Sequence, residues 1–187
     1  GMKIIGVTGT NGKTTIAYLL YRLLREKTKA AYIGTLNYQW GDHQLESSNT
    51  TPGPEILIPL LAQMRQEGVR YCVMEVSSHA LELDRVYATH FQVGIFTNLT
   101  QDHLDFHPTM EAYYQAKRKL FLLDTDVAII VIDDPYGERL HNELQQLGKR
   151  CLSISLQRED ADFVARNVRR TPAGSSFFIA DEQYYVP

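Results

Sequence analysis

Apolar residues fall into short runs separated by segments with helical spacing. Residues 3–7, 30–34, 71–76, 93–97, 127–132 and 150–154 are short, continuous apolar runs and read as buried strands. Between the first two, Ile16, Leu19, Leu20, Leu23 and Leu24 recur on one face of a predicted helix over 13–25. Further helices are predicted at 54–66, with Gly68 as a stop, at 110–122 and at 136–147, and a short one at 78–83 opened by two serines. Tyr38 and Trp40 precede Gly41-Asp42 within residues 36–46, a hairpin pattern. Strands alternating with helices predict an α/β fold with a mostly parallel sheet flanked by helices. From Ala161 the texture changes. Strand-like segments at 163–168, 175–180 and 184–186, joined by Pro172-Ala173-Gly174 and Asp181-Glu182, predict an antiparallel addition on one edge.

Composition narrows the class. A chain of 187 residues supports one sizeable domain, and 44% apolar with 22% charged residues is the balance of a soluble globular protein. The net charge of -3 gives no broad basic face, so neither nucleic acid nor a membrane surface is an expected partner. No apolar run approaches the roughly 20 residues of a spanning helix, and the N-terminus has no signal-peptide pattern. Gly1 ahead of Met2 reads as the remnant of a cleaved tag. Cys72 and Cys151 sit in strand-like runs and read as small buried hydrophobes of a reducing compartment, which points to the cytoplasm.

The strongest chemical signal is Gly9-Thr10-Asn11-Gly12-Lys13-Thr14-Thr15, set between the first strand and the first helix. Glycines let the backbone wrap so that successive amides face one anion, and the helix adds its positive end. Lys13 supplies a full charge for the outer phosphates, and the Thr14 hydroxyl is placed to hold Mg²⁺. Strict phosphate loops carry glycine six residues before the lysine, where this chain has Val7. The expected architecture is therefore P-loop NTPase-like, with ATP as the ligand.

Residues 6–15 resemble the ATP loop of the Mur ligases, which departs from the strict pattern in the same way. Asn49-Thr50-Thr51-Pro52, the block 74–81 containing Glu75-Val76-Ser77-Ser78-His79, the block 97–105 containing Asn98 and Asp102-His103, and the block 114–121 containing Ala116-Lys117 match in order. The set looks most like the members that add the third peptide residue, diaminopimelate or lysine, to UDP-N-acetylmuramoyl-L-alanyl-D-glutamate. That resemblance implies an ATP-dependent ligase working through an acyl phosphate. It also implies that residues 1–187 are a truncated central domain, lacking N-terminal UDP-binding and C-terminal amino-acid-binding domains. Its partners would be the small-molecule substrates and the rest of its own polypeptide.

By the same resemblance, Lys13, His103 and Lys117 are the catalytic candidates. Gly9, Thr10, Asn11, Gly12, Lys13, Thr14, Thr15 and Asn98 would bind the nucleotide. Asn49, Thr50, Thr51, Ser77 and Arg85 would contact the muramoyl peptide. Thr14, Glu75, His103 and a carbamylated Lys117 would hold Mg²⁺. Bland readings stand beside these. Glu75 could serve the start of the helix after it, the Asn-Thr-Thr run could cap the helix at 54, and Lys117 could lie on a solvated face with Arg118 and Lys119. Asp105 and His107 are read as capping and surface residues. Other ligases of the superfamily, of folylpolyglutamate or cyanophycin synthetase type, and a non-catalytic nucleotide-binding module remain alternatives.

Overall fold

The computed structural model describes residues 1–102 and 105–186. Along these residues run β1 (Lys3–Thr8), α1 (Lys13–Arg25), β2 (Ala30–Ile33), β3 (Tyr38–Trp40), β4 (His43–Leu45), α2 (Pro54–Gln66), β5 (Tyr71–Glu75) and α3 (Ser78–Glu82). Then follow β6 (Phe91–Phe96), α4 (Met110–Leu122), β7 (Thr125–Val131), α5 (Pro135–Gln146), β8 (Cys151–Ser155), β9 (Phe163–Thr171), β10 (Gly174–Ile179) and β11 (Glu182–Val186). The strands form one sheet in the order β11-β10-β9-β8-β7-β6-β1-β5-β2-β3-β4.

The middle of this sheet is parallel: β2, β5, β1, β6, β7 and β8 run the same way. Such strands are covered on both faces, which is why β2 is buried at every residue and β5 at all but Tyr71. Alternation along β5 serves both layers. Val73 packs with Val7, Tyr32, Ala17 and Tyr21 under α1, while Cys72 and Met74 join the larger core with Leu57, Met64, Tyr113 and Leu140. Each such fully buried large side chain contributes about 1.5–3 kcal/mol relative to exposure. Side chains cap three of the helices. Ser77 accepts from the Ala80 amide at 3.1 Å, Thr109 from Ala112 at 3.1 Å, and Asp134 from Tyr136 and Gly137 at 2.9 and 3.0 Å.

The edges differ from the sequence reading in two respects: antiparallel additions occur at both, and β9, read as part of the antiparallel addition, joins the sheet parallel to β8. β3 pairs antiparallel with β2, since the connection between them is too short for a crossover. At the other edge β9 first pairs parallel with β8, through Ile154 with Phe163 and Ser155 with Val164. β10 and β11 then add antiparallel. Cys72 is buried in β5 and Cys151 half-buried in β8, both are free thiols, and burial pushes each up to about 12. Among the described residues, no helix is long and apolar enough to cross a membrane.

β1 is the point where the winding reverses. Its successors lie beyond β5 on one side, and β6 lies on the other. Loops leaving the carboxyl ends of β1, β5 and β6 therefore diverge around a crevice, the usual ligand position in such sheets.

Candidate nucleotide and metal site

The loop after β1 is braced by the chain leaving β6. Gly9 has φ +148°, and a Cβ there would sit well inside contact distance of Thr97 Oγ1 and 3.1 Å from the Asn98 nitrogen and carbonyl oxygen. Only glycine allows that approach. The Thr10 amide donates to the Asn98 carbonyl at 2.9 Å and the Asn11 amide to Asn98 Oδ1 at 3.0 Å. Asn98 Nδ2 and the Thr97 hydroxyl donate to the Asn11 carbonyl at 3.1 and 2.6 Å. Asn98 thus acts as a brace in this structure. It occupies two amides that the sequence reading aimed at an anion, because an adjacent strand end with an amide side chain satisfies them first. The amides of the first turn of α1, which have no intrahelical acceptor, are the further candidates for holding an anion. Its N-cap, Gly12, brings no side-chain cap, and the exposed Thr15 stands in that turn.

Two lysine amines converge on one carbonyl. Lys13 Nζ donates to the carbonyls of Gly9 and Thr10, both at 2.9 Å. Lys117 Nζ, from the middle of α4, donates to the same Gly9 carbonyl at 2.8 Å and lies 4.5 Å from the Tyr113 ring centroid. Lys117 is 1% exposed, so the solvated-face reading fails for it. It fits Arg118 and Lys119, which pair with Glu143 and Glu82. Burial, and after it the Lys13 charge, drive the Lys117 amine well below the usual lysine range, against a pull from Asp102. Lys13 is also lowered by burial, opposed by Glu75 and Asp102.

Glu75 closes the crevice from β5. It is fully buried, and its Oε2 accepts from the Thr14 hydroxyl at 2.8 Å, tying the start of α1 to the end of β5. Tyr32 donates to Oε1 at 2.6 Å, and Thr35 donates through its amide at 2.9 Å and its hydroxyl at 3.2 Å. The helix-serving role proposed for Glu75 belongs to Ser77, the N-cap of α3. Sequence reasoning missed Tyr32 and Thr35. The available signal was a phenol inside an otherwise apolar strand, since a buried hydroxyl needs a partner.

The Asn49–Thr51 run borders the same crevice. It does not cap α2, whose N-cap is Gly53 without a side-chain bond. The Thr51 hydroxyl donates to the Glu75 carbonyl at 2.8 Å and accepts from the Ser77 amide at 3.0 Å. Thr50 Oγ1 lies 3.0 Å from Thr35 Oγ1, Tyr38 donates to the Asn49 carbonyl at 2.5 Å, and Arg85 donates to the Thr51 carbonyl at 3.1 Å. A cleft of about 340 Å³ is lined by Lys13, Thr14, Glu75, Lys117, Arg85 and His79, together with Asn49, Thr50, Thr51 and Ser77. His103 lies outside the described residues. His107 is not at the surface. It is 3% exposed and stacks on Tyr113 at 5.0 Å between centroids, because the segment before α4 folds back over that helix.

Oxygen donors dominate around Thr14 and Glu75, and lysine amines around Gly9. That is a division suited to a divalent cation beside a polyanion. Residues 7–186 match the model of the Mur ligase middle domain.

The chain belongs to the Mur ligase middle-domain family.

Among curated relatives of this Mur ligase middle domain, it is 48% identical over 177 residues to UDP-N-acetylmuramoyl-L-alanyl-D-glutamate–2,6-diaminopimelate ligase 1 of Clostridium acetobutylicum, covering 94% of this chain and 36% of that protein. The diaminopimelate ligase of Clostridium perfringens is 45% identical over 179 residues, covering 94% and 37%. A solved diaminopimelate ligase structure superposes with a TM-score of 0.88 at 30% identity, over 100% of this chain and 39% of that one. The MurF ligase of Thermotoga maritima, solved in complex with ADP, shares the fold, with a TM-score of 0.72 at 21% identity over 100% and 40%. The chain thus spans little more than a third of the length of the relatives it matches.

Proposed function

We propose that this chain is the ATP-binding section of a peptide ligase that joins diaminopimelate to UDP-N-acetylmuramoyl-L-alanyl-D-glutamate in the cytoplasm. The observation that carries the reading is the meeting of Lys117 with the phosphate loop, Nζ to Gly9 carbonyl at 2.8 Å across 108 positions of sequence. Holding a nucleotide needs one lysine and a helix end. A second buried amine at the same carbonyl serves a more demanding reaction. The relatives' names and the 42–48% identity over nearly the whole chain favour the diaminopimelate-adding type over folylpolyglutamate or cyanophycin synthetases and over a bare nucleotide module.

In this reading Lys13 and the first turn of α1 grip the triphosphate. The muramoyl peptide lies along Asn49, Thr50, Thr51, Ser77 and Arg85, its carboxylate directed at the γ-phosphate. That carboxylate takes the phosphoryl group and ADP leaves. The amine of the incoming amino acid then displaces phosphate from the acyl phosphate, forming the amide. Thr14 and Glu75 fit Mg²⁺, being oxygen donors at the mouth of the phosphate loop, with His103 and Lys117 as further holders. When bound, the ion offsets charge on the transferring phosphoryl group. A neutral Lys117 amine adds to CO₂, forming a C–N bond and releasing one proton, and the carbamate replaces a cation by an oxygen donor.

Phosphate release by the full-length polypeptide, given ATP, Mg²⁺, the muramoyl dipeptide and either diaminopimelate or lysine, tests the proposal. Release is expected with diaminopimelate, and release with neither amino acid refutes it. Lys13→Ala is expected to lose nucleotide binding, and undiminished affinity in that variant contradicts the site.

A further inference from the structure

The two oxygens of Glu75 have different neighbours. Oε1 accepts from the Tyr32 hydroxyl at 2.6 Å and the Thr35 amide at 2.9 Å. Oε2 accepts from the hydroxyls of Thr14 at 2.8 Å and Thr35 at 3.2 Å. Oε1 is therefore held by the strand behind it, while Oε2 faces the phosphate loop. Tyr32 is itself fully buried, edge-on to Tyr18 at 5.5 Å and tilted against Tyr21 at 6.1 Å, so its ring cannot swing away. A Cβ at Gly34 would collide with both Glu75 Oε1 and the Tyr32 hydroxyl, so these two groups are also boxed in by backbone.

Packing alone does not account for the phenol oxygen. Phenylalanine would fill the same space between Tyr18, Tyr21 and Val73. The hydroxyl adds a short bond to a single carboxylate oxygen, Glu75 Oε1, and itself meets the backbone of Leu36, which holds it in place. We propose that Tyr32 is a positioning residue. Its hydroxyl pins Oε1 so that Oε2 stays turned toward Thr14, ready for the nucleotide's divalent cation. A glutamate has three side-chain torsions to immobilise when it takes an ion, and fixing them beforehand tightens binding. The inference rests on the nucleotide and Mg²⁺ reading above.

The test is Tyr32→Phe in the full-length polypeptide, followed by calorimetry and thermal shift with a non-hydrolysable ATP analogue across a Mg²⁺ titration. The Mg²⁺ concentration for half-maximal effect is expected to rise about tenfold, the usual consequence of losing a group that orients a ligand. Affinity for the analogue in EDTA is expected to stay unchanged. Tyr18→Phe, which keeps the aromatic packing and touches no carboxylate, is expected to leave both quantities unchanged. Gly34→Ala, which pushes on the same oxygen from the backbone side, is expected to reproduce the Mg²⁺ defect and serves if Tyr32→Phe does not fold. A Mg²⁺ midpoint within twofold of wild type in both variants overturns the inference and leaves the nucleotide reading intact. So does an equal loss of metal-free affinity, which marks a merely structural role. A wild-type protein that binds no analogue at any Mg²⁺ concentration removes both.

Discussion

Gly9→Ala gives the sharpest test of how the phosphate loop is built. Three costs follow from the geometry. The backbone at φ +148° is a region that an alanine occupies only with strain, about 1–3 kcal/mol. The new methyl group would overlap Thr97 Oγ1 and press on the Asn98 backbone at 3.1 Å, and such overpacking typically costs about 1–3 kcal/mol. Relieving the overlap by turning Thr97 breaks its 2.6 Å bond to the Asn11 carbonyl, a further loss of about 1 kcal/mol. Against these stands a gain of about 0.4–1 kcal/mol from a stiffer unfolded chain. The expected net loss is about 4 kcal/mol, large against the ~5–15 kcal/mol of an ordinary domain. Urea denaturation followed by circular dichroism measures it as a lower midpoint at unchanged slope. The double variant Gly9→Ala with Thr97→Ala separates the terms. If the clash is real, the pair is less destabilised than the sum of the singles by about 1 kcal/mol or more. A single-variant loss below about 1 kcal/mol, or strict additivity in the pair, refutes the close approach of β6 to the loop.

Four other outcomes are expected. Thr51→Val removes the hydroxyl that joins the Glu75 carbonyl to the Ser77 amide and should cost about 1–3 kcal/mol by urea denaturation, with Thr51→Ser restoring most of it. Asp134→Ala deletes the α5 cap, with its bonds to the Tyr136 and Gly137 amides, and should cost about 1–2 kcal/mol in the same assay. His90 is raised above 6.5 by its hydrogen bond to Asp124 and by Asp126, so its contribution is fully present below pH 6.5 and is lost as pH rises through the folded value. With its side chain half exposed, that contribution is at most about 0.5 kcal/mol, and an NMR titration should find its midpoint above 6.5, returning toward 6.5 in Asp124→Asn. Lys117→Met replaces a buried amine by an apolar chain of similar length and should raise thermal stability at neutral pH, by roughly 1 kcal/mol or more, while removing ligase activity.

The fold was legible because its cues are local and mutually consistent. Apolar runs without alternation announced the buried parallel strands, and the spacing of Ile16, Leu19, Leu20, Leu23 and Leu24 announced α1, but Leu19 and Leu23 are exposed and the core face is filled by Ala17 and Tyr21. The glycine-rich loop between β1 and α1 was legible for a similar reason, since its glycines, lysine and threonine are contiguous. Lys117 was different. Nothing in Lys117-Arg118-Lys119 distinguishes the fully buried member from its half-buried, ion-paired neighbours, and only the family motif singled it out. Tyr32, Thr35 and the bracing role of Asn98 were missed because they depend on which strand ends become neighbours, a product of sheet order that no window of sequence contains. The antiparallel pairing of β3 at the second edge was missed although the 36–46 hairpin was read. A hairpin pattern gives pairing within itself and not the strand it joins.

The sheet order also explains how this fold tolerates the charges it gathers. Lys13 and Lys117 share the Gly9 carbonyl, and each disfavours the other's charge. Glu75 and Asp102 offset the charge on Lys13, while Asp102, the Gly9 carbonyl and the Tyr113 ring favour that on Lys117. The larger penalty falls on Lys117, the more buried of the two lysines, and α4 is fixed by Tyr113, Tyr114, Leu120 and Phe121 in the core, so the amine cannot move out to water. A rigid pair of amines whose charges burial disfavours is a poor stabilising device. In the proposed reading Lys13 serves as the cation for a phosphate, and Lys117, the more strongly disfavoured charge, as the reactive amine. Burial by the surrounding core, and not any feature of the lysine itself, divides the two roles.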